Sequence, residues 1–203
     1  MTSLPRIAIL ISGRGSNMQA IIDGVKDGRI RATIALVLSN RADAAGLARA
    51  QAAGLDTLVL SHRDYTTRAA YDTALARELL TRDVSLVCLA GFMRLLGPDF
   101  VSAFPNRVLN IHPSLLPAFP GLDAQRQAWE HGAKVSGVTV HFVTADLDAG
   151  PIVAQTAVSV RDADTAEALA GRILIEEHRL YPQAIQFVLD GRWRIDGRRV
   201  LPA

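Results

Sequence analysis

Two kinds of apolar pattern alternate along the first half of the chain. Short, predominantly apolar runs at Arg6–Ile11, Ala32–Leu38, Thr57–Leu60 and Val84–Ala90 read as strands buried on both faces, because such runs leave little polar surface for water. Between them the apolar residues fall at helical spacing over Asn17–Asp27, Ala42–Ala53 and Tyr65–Thr81, and Gly54 stands where it would end the second helix. Strands and helices in strict alternation predict an α/β fold, a Rossmann-like, doubly wound and mostly parallel sheet.

The pattern changes after residue 105. Arg107–Ile111 reads as a further strand that runs into His112-Pro-Ser-Leu-Leu-Pro-Ala-Phe-Pro-Gly121. Pro113, Pro117 and Pro120 exclude a regular helix or a central strand there, so the segment is a structured loop. A short helix is expected over Asp123–Glu130. Val138, Val140 and Phe142 then alternate with Thr139 and His141, which is strand periodicity, and Ile152–Val160 is the expected antiparallel partner. Asp164 with Glu167 three residues on resembles a capping box and opens a helix to about Asp190. A small hairpin about Asp196-Gly197 closes the chain. No repeat, linker or low-complexity segment interrupts it, so residues 1–203 are expected to form one domain with halves of about 1–105 and 106–203.

Composition narrows the picture. Of 203 residues, 49% are apolar and 21% charged, enough apolar residues to offset the ordering entropy of a folded core. No apolar run approaches the roughly 18 residues a membrane span needs, so no membrane partner is expected. The N-terminal residues Met1-Thr-Ser-Leu-Pro-Arg6 lack the basic and apolar regions of a signal peptide. Cys88 is the single cysteine and lies inside an apolar run, which allows no internal disulfide and no cysteine-based zinc site. A cytoplasmic location is the natural expectation. The net charge is only +2, and the basic residues, nearly all arginine apart from Lys26 and Lys134, are scattered; no nucleic-acid stripe is visible. The five histidines form no His-x-x-x-His pair, so no metal is expected.

Three segments can carry chemistry. Gly13-Arg-Gly-Ser-Asn17 lies between the first strand and the first helix, where close backbone approach and the helix N-terminus favour a phosphate. Met18 stands where a dinucleotide fingerprint needs its third glycine, and Leu38-Ser-Asn-Arg41 offers no carboxylate for a ribose, so a monophosphate fits better than a dinucleotide. The alternative is a tight turn capped by Ser16 or Asn17. Asn110-Ile-His112 would place an amide donor and an imidazole on one face of a strand end, a pair able to polarise a carbonyl and exchange protons. The alternative is a polar pair satisfying backbone groups near the proline-rich turn. Asp146-Leu-Asp-Ala-Gly-Pro151 is either an ordinary turn or the source of an Asp148 carboxylate that orients His112 and raises its pKa. His141, alternating with apolar neighbours, reads as a satisfied core histidine.

Together, Ser12-Gly-Arg-Gly-Ser-Asn17, Ala90-Gly-Phe-Met-Arg-Leu-Leu96, Leu109-Asn-Ile-His-Pro-Ser-Leu-Leu-Pro117 and Leu147-Asp-Ala-Gly-Pro151 resemble the folate-dependent formyltransferases, in particular those acting on phosphoribosylglycinamide. The likeness runs nearly end to end and includes the spacing between motifs. It implies formyl transfer from 10-formyltetrahydrofolate, as co-substrate, to the substrate amine in de novo purine synthesis, with a nucleotide-phosphate half followed by a folate and catalytic half. It implies that Asn110, His112 and Asp148 stabilise the tetrahedral intermediate and move protons. Gly13, Gly15, Ser16, Asn17, Pro113 and Glu177 would bind the ribonucleotide. Arg68, Met93, Arg94, Leu95, Leu96, Asn110, Thr144, Ala145, Asp146, Leu147 and Asp148 would line the folate site, and no metal is implied. The partners are then small molecules, with a monomer or homodimer. Asp123 and Gln125 stand in a loop where the family commonly carries histidine, and Ala149 stands where a second glycine is common. The alternatives are a formyltetrahydrofolate deformylase, with water as acceptor, and a non-catalytic nucleotide-binding module.

Overall fold

Five consecutive apolar residues, Ile7–Ile11, are each fully buried in strand β1 (Arg6–Ile11), as a strand covered on both faces requires. The computed structural model describes residues 3–203, and the chain divides into two units, the first ending at Leu109 and the second spanning Asn110–Ala203.

In the first unit β1 is followed by α1 (Ser16–Lys26), β2 (Thr33–Ser39), α2 (Ala45–Ala52), β3 (Thr57–Val59), a single 3-10 turn at His62–Asp64, α3 (Arg68–Leu80), β4 (Leu86–Leu89) and α4 (Pro98–Ala103). The strand order is β3-β2-β1-β4, and each of these pairings is parallel. Ile9 sits opposite both Val37 and Cys88, so the apolar runs stack in register at the middle of the sheet. Cys88 is buried and unbridged, and burial pushes its thiol far up, out of reach of a neutral-pH nucleophile.

Two boundaries differ from the sequence pattern. The third helix begins at Arg68 rather than Tyr65, because the Thr67 hydroxyl accepts from the Ala70 amide and caps it there. The pattern also misses α4, six residues long and too short to show a period; Pro98 at its start and Asp99 in its first turn are its local signals.

Strand β5 (Val108–His112) carries the chain into the second unit, where it is followed by α5 (Ala124–Glu130), β6 (Val135–Phe142), β7 (Ile152–Ser159), α6 (Ala166–Leu189), β8 (Trp193–Asp196) and β9 (Arg199–Pro202). The strand order here is β5-β6-β7-β9-β8. The expected antiparallel pair is β6 with β7, Val138 lying opposite Thr156, and the expected terminal hairpin forms a second antiparallel pair. Helix α6 covers β6 and β7 and packs on α5. Its start corrects the capping-box expectation: Thr165, not Asp164, is the cap and accepts from the Ala168 amide. Asp164 instead accepts from the Arg161 amide and grips the Arg172 guanidinium, contacts that lower its pKa to about 2.

Along β6 the alternation does not separate core from solvent. Thr139 and His141 are as buried as Val138 and Val140, so the polar face of this strand is enclosed too. Thr139 satisfies itself there by accepting from the Leu116 amide and donating to the Ser114 carbonyl, which pins the proline-rich loop to β6. No helix among the described residues is long and apolar enough to cross a membrane.

Candidate active site

Strand β5 ends in the second unit with Asn110 half-buried and Ile111 and His112 both buried, so burial does not separate its two faces. The loop that follows folds back so that the Phe119 carbonyl lies 2.8 Å from His112 Nε2. A carbonyl can only accept, so Nε2 carries the proton and a neutral His112 has its lone pair on Nδ1. That lone pair faces Asp148 Oδ2 at 3.5 Å.

Asp148 reaches this point from the turn between β6 and β7. Its backbone is left-handed (φ 48°), a conformation aspartate tolerates better than most residues. Two contacts hold the turn: the Gly121 amide donates to Asp148 Oδ2 at 2.8 Å, and the Phe142 amide donates to the Pro151 carbonyl at 2.9 Å. Gly150 is obligatory beside them, since a Cβ there would lie 1.8 Å from the Phe142 carbonyl oxygen.

The other carboxylate oxygen, Oδ1, lies 3.6 Å from His141 Nε2. His141 Nδ1 lies 2.9 Å from the Phe142 carbonyl and donates to it, so in the neutral ring Nε2 accepts; the Asn110 carboxamide nitrogen stands 3.3 Å from it. One Asn110 N–H is thereby held by His141 and the other is left for a ligand. The structure thus places His112 and His141 on the two oxygens of the Asp148 carboxylate and Asn110 against His141, which the sequence pattern assigned to the core. The signal for it lay in β6, where a histidine repeats the buried polar position of Thr139 two residues on.

Burial dominates the His112 imidazole and holds its pKa below the ordinary value; the Phe119 carbonyl and Asp148 work the other way, and His141 adds to the lowering. The expected upward pull of Asp148 is present, but burial outweighs it and the net shift is downward. For Asp148 burial pushes upward, and the His141 ring, the Gly121 amide and the His112 ring beside it together outweigh it, so the carboxyl stays below its usual range.

The remaining predicted residues of this unit lie on the loop after β5, on the turn that carries Asp148 and on α6. Pro113 follows His112 and is half-buried, and Thr144 is half-buried while Ala145, Asp146 and Leu147 are exposed along the turn that carries Asp148. Glu177 is buried on α6.

The first unit holds the other predicted segments. Gly15 caps α1 in a left-handed conformation (φ 73°), no side chain caps that helix, and its first turn holds no acidic residue, so neither Ser16 nor Asn17 serves as the cap. Gly13 is exposed, Gly15 buried, and Ser16 and Asn17 half-buried. A side chain at Gly15 would meet the Gly46 backbone at 2.9 Å, so α2 backs this loop closely. Further along, Met93 and Leu95 are exposed while Leu96 is buried. The Arg94 guanidinium lies over the Tyr71 ring, 4.7 Å from its centroid, with its Nε buried and unpaired. Arg68, exposed at the start of α3, and Arg94 both act on the buried Asp72 carboxylate, so the two predicted folate-site arginines share a neighbour. Among the described residues no group of three or more histidine, cysteine, aspartate or glutamate side chains is arranged to hold a metal ion.

Comparison with known proteins bears on this geometry. The formyl transferase family matches residues 5–185. The phosphoribosylglycinamide formyltransferase of Escherichia coli is 46% identical, over 97% of this chain and 96% of that protein. A crystal structure of glycinamide ribonucleotide transformylase 1 from Symbiobacterium toebii superposes with a TM-score of 0.96 at 58% identity, covering 98% of this chain and 94% of that one. The bovine trifunctional purine biosynthetic protein adenosine-3 is 47% identical over 94% of this chain, and the chain spans only 19% of that protein's length.

Proposed function

The chain belongs to the formyl transferase family, and from that membership we infer that it is an enzyme of purine biosynthesis that transfers a formyl group to the amine of phosphoribosylglycinamide. The family implies a formyl folate as co-substrate; we take this to be 10-formyltetrahydrofolate. The family match runs through both units, which supports reading residues 1–203 as one formyltransferase domain. A cytoplasmic location and small-molecule partners follow from the same reading, for a monomer or a homodimer.

The observation that carries the mechanism is the Asp148 carboxylate between two histidines, one of which holds the Asn110 amide. The substrate amine attacks the formyl carbon, a carbon–nitrogen bond forms, and the carbonyl electron pair moves onto oxygen. The free Asn110 N–H is the donor for that oxyanion, preorganised by His141, and one such donor typically lowers a barrier by about 3–4 kcal/mol. His112 rests neutral with its Nδ1 lone pair beside Asp148 and takes up at Nδ1 the single proton that Asp148 relays from the amine, so its charge appears when the oxyanion does. Asp148, ionised at rest, accepts the amine proton directly or through water. The electron pair then returns, the bond from the formyl carbon to the folate nitrogen breaks, and the proton passes to that nitrogen. No covalent enzyme intermediate is needed.

In the first unit, the uncapped start of α1 and the left-handed Gly15 suit the ribonucleotide phosphate, bound by Gly13, Gly15, Ser16 and Asn17. Pro113 and Glu177 complete the ribonucleotide contacts. Exposed Met93 and Leu95 with buried Leu96 offer an apolar wall for the flat folate ring, and the orphaned Arg94 Nε and exposed Arg68 suit its anionic tail. Backbone groups of Thr144, Ala145, Asp146 and Leu147 would read the ring's polar edge.

The test is tetrahydrofolate formation from 10-formyltetrahydrofolate with and without phosphoribosylglycinamide. Turnover that depends on the ribonucleotide is the expected result. Equal turnover without it would make water the acceptor and the protein a deformylase, and silence in both from a folded, phosphate-binding chain would favour a non-catalytic module.

A further inference from the structure

The segment Gly91–Gly97 has no ladder to hold it, yet it carries the exposed apolar Met93 and Leu95. Two side-chain acceptors take its amides: Ser12 Oγ accepts from the Met93 amide at 2.8 Å, and Asp72 Oδ2 accepts from the Gly97 amide at 2.7 Å. Ser12 does more, because its own amide donates to the Gly91 carbonyl at 3.0 Å. Its hydroxyl has a single proton, and since the Met93 amide can only donate, that proton goes to Asn40 Oδ1 at 2.6 Å. The Asn40 carboxamide nitrogen in turn faces His62 Nδ1 at 3.4 Å. Ser12 and Asn40 are 5% and 4% exposed and the bond between them is buried, so a missing partner there would leave a buried polar group unsatisfied.

Ser12 is also the residue immediately before Gly13, the first residue of the anion loop. One buried side chain thus ties the loop at the start of α1 to the segment that carries Met93 and Arg94. We propose that Ser12, oriented by Asn40, is a positioning residue that couples the two substrate segments, so that occupation of the anion loop orders Gly91–Gly97. The proposal rests on the reading above for what the two segments bind. An apolar residue at position 12 would keep the backbone bond to the Gly91 carbonyl but would leave the Met93 amide without its acceptor, so the residues beyond Gly91 would lose their side-chain tie to the anion loop.

Amide hydrogen exchange with phosphoribosylglycinamide as the added ligand tests this. In the wild-type chain the ribonucleotide is expected to slow exchange in residues 13–17 and, by about fivefold or more, in residues 91–97, as a coupling of ordinary size requires. In Ser12→Ala the protection of 13–17 persists while that of 91–97 falls to less than about twofold; Ser12→Thr, which keeps the hydroxyl, restores it. Protection of 91–97 that survives in Ser12→Ala would mean the ligand orders the segment by direct contact and would overturn the coupling. Protection of 13–17 alone in the wild type would also overturn it. Protection of neither segment in the wild type would instead sink the ribonucleotide reading, and the coupling with it. Should Ser12→Ala not fold, Asn40→Ala decides in its place, since it releases the hydroxyl from its fixed orientation; undiminished protection of 91–97 there would refute the proposal.

Discussion

Replacing Asp148 by asparagine removes the charge at the centre of the site while keeping its shape. The Gly121 amide would still find an oxygen acceptor, so the turn should stay folded, with a stability loss of about 1–2 kcal/mol. What disappears is the ionised group between His112 and His141, whose nitrogens lie 3.5 and 3.6 Å away. At an effective dielectric of about 20, a charge pair at the His112 distance attracts by roughly 5 kcal/mol before desolvation is subtracted. That attraction is available only to protonated His112, so its loss falls on the steps in which a proton is held there. Asp148→Asn also loses the acceptor for the amine proton, and a positioned acid–base group is typically worth about 10²–10⁴ in rate. The expected result is a fall in kcat of that order, measured as tetrahydrofolate release at saturating substrates, with ribonucleotide affinity changed by less than about threefold. The His112 ring, followed by proton resonance, should titrate even lower than in the wild type, because one of the influences raising it is gone. A variant turning over within about tenfold of wild type would refute the assignment of proton transfer to Asp148.

Asn110→Ala should lower kcat by about 10²–10³ with little change in thermal stability, as loss of an oxyanion donor does; an unchanged kcat would remove Asn110 from the chemistry. His141→Leu should cost about tenfold or more in kcat through Asn110, since a misplaced donor loses much of its effect, and Asn110→Ala should make the second substitution nearly silent in the double variant. Gly150→Ala should destabilise the chain by about 3 kcal/mol or more in denaturant unfolding, because its Cβ would meet the Phe142 carbonyl at 1.8 Å; a loss below about 1 kcal/mol would mean the turn gives way easily. The pH dependence of stability has a definite sign. His112 is held below its ordinary value of 6.5, so the folded state takes up its proton later than the unfolded chain; its contribution is full above 6.5 and is lost as pH falls from there through the folded value. Asp148, held below 3.8, contributes above that value and is lost only in stronger acid. Unfolding free energy should therefore decline first below about pH 6.5, and His112→Gln should flatten that first decline.

Much of the fold was legible because its strands are short, continuous and apolar: Ile7–Ile11, Val37–Leu38 and Leu86–Leu89 have no polar face to mislead a reader. The terminal hairpin and the β6–β7 pair were legible from turn residues and period. Helix starts were less so, because a threonine cap competes with its neighbours. Thr67 displaced the start from Tyr65, and Thr165 took the role assigned to Asp164, whose carboxylate went to Arg172. At the site, the period of β5 brought out Asn110 and His112. The contact with Asp148 joins residues thirty-six positions apart and depends on a left-handed turn that no local pattern encodes. Nor could the pattern weigh burial against a nearby charge, which is why the upward pull of Asp148 was legible and the downward net shift of His112 was not. His141 was hidden for a related reason: a buried histidine on a strand reads as core until its ring nitrogens are matched with partners.

The decisive comparison is the single-turnover rate of formyl transfer in His112→Asn against wild type, measured with both substrates bound. The catalytic centre described here predicts that phosphoribosylglycinamide affinity stays within about threefold while the rate of formyl transfer falls by at least about a hundredfold. A rate equal to that of the wild type at the same occupancy would contradict it and move the chemistry away from Asn110, His112 and Asp148.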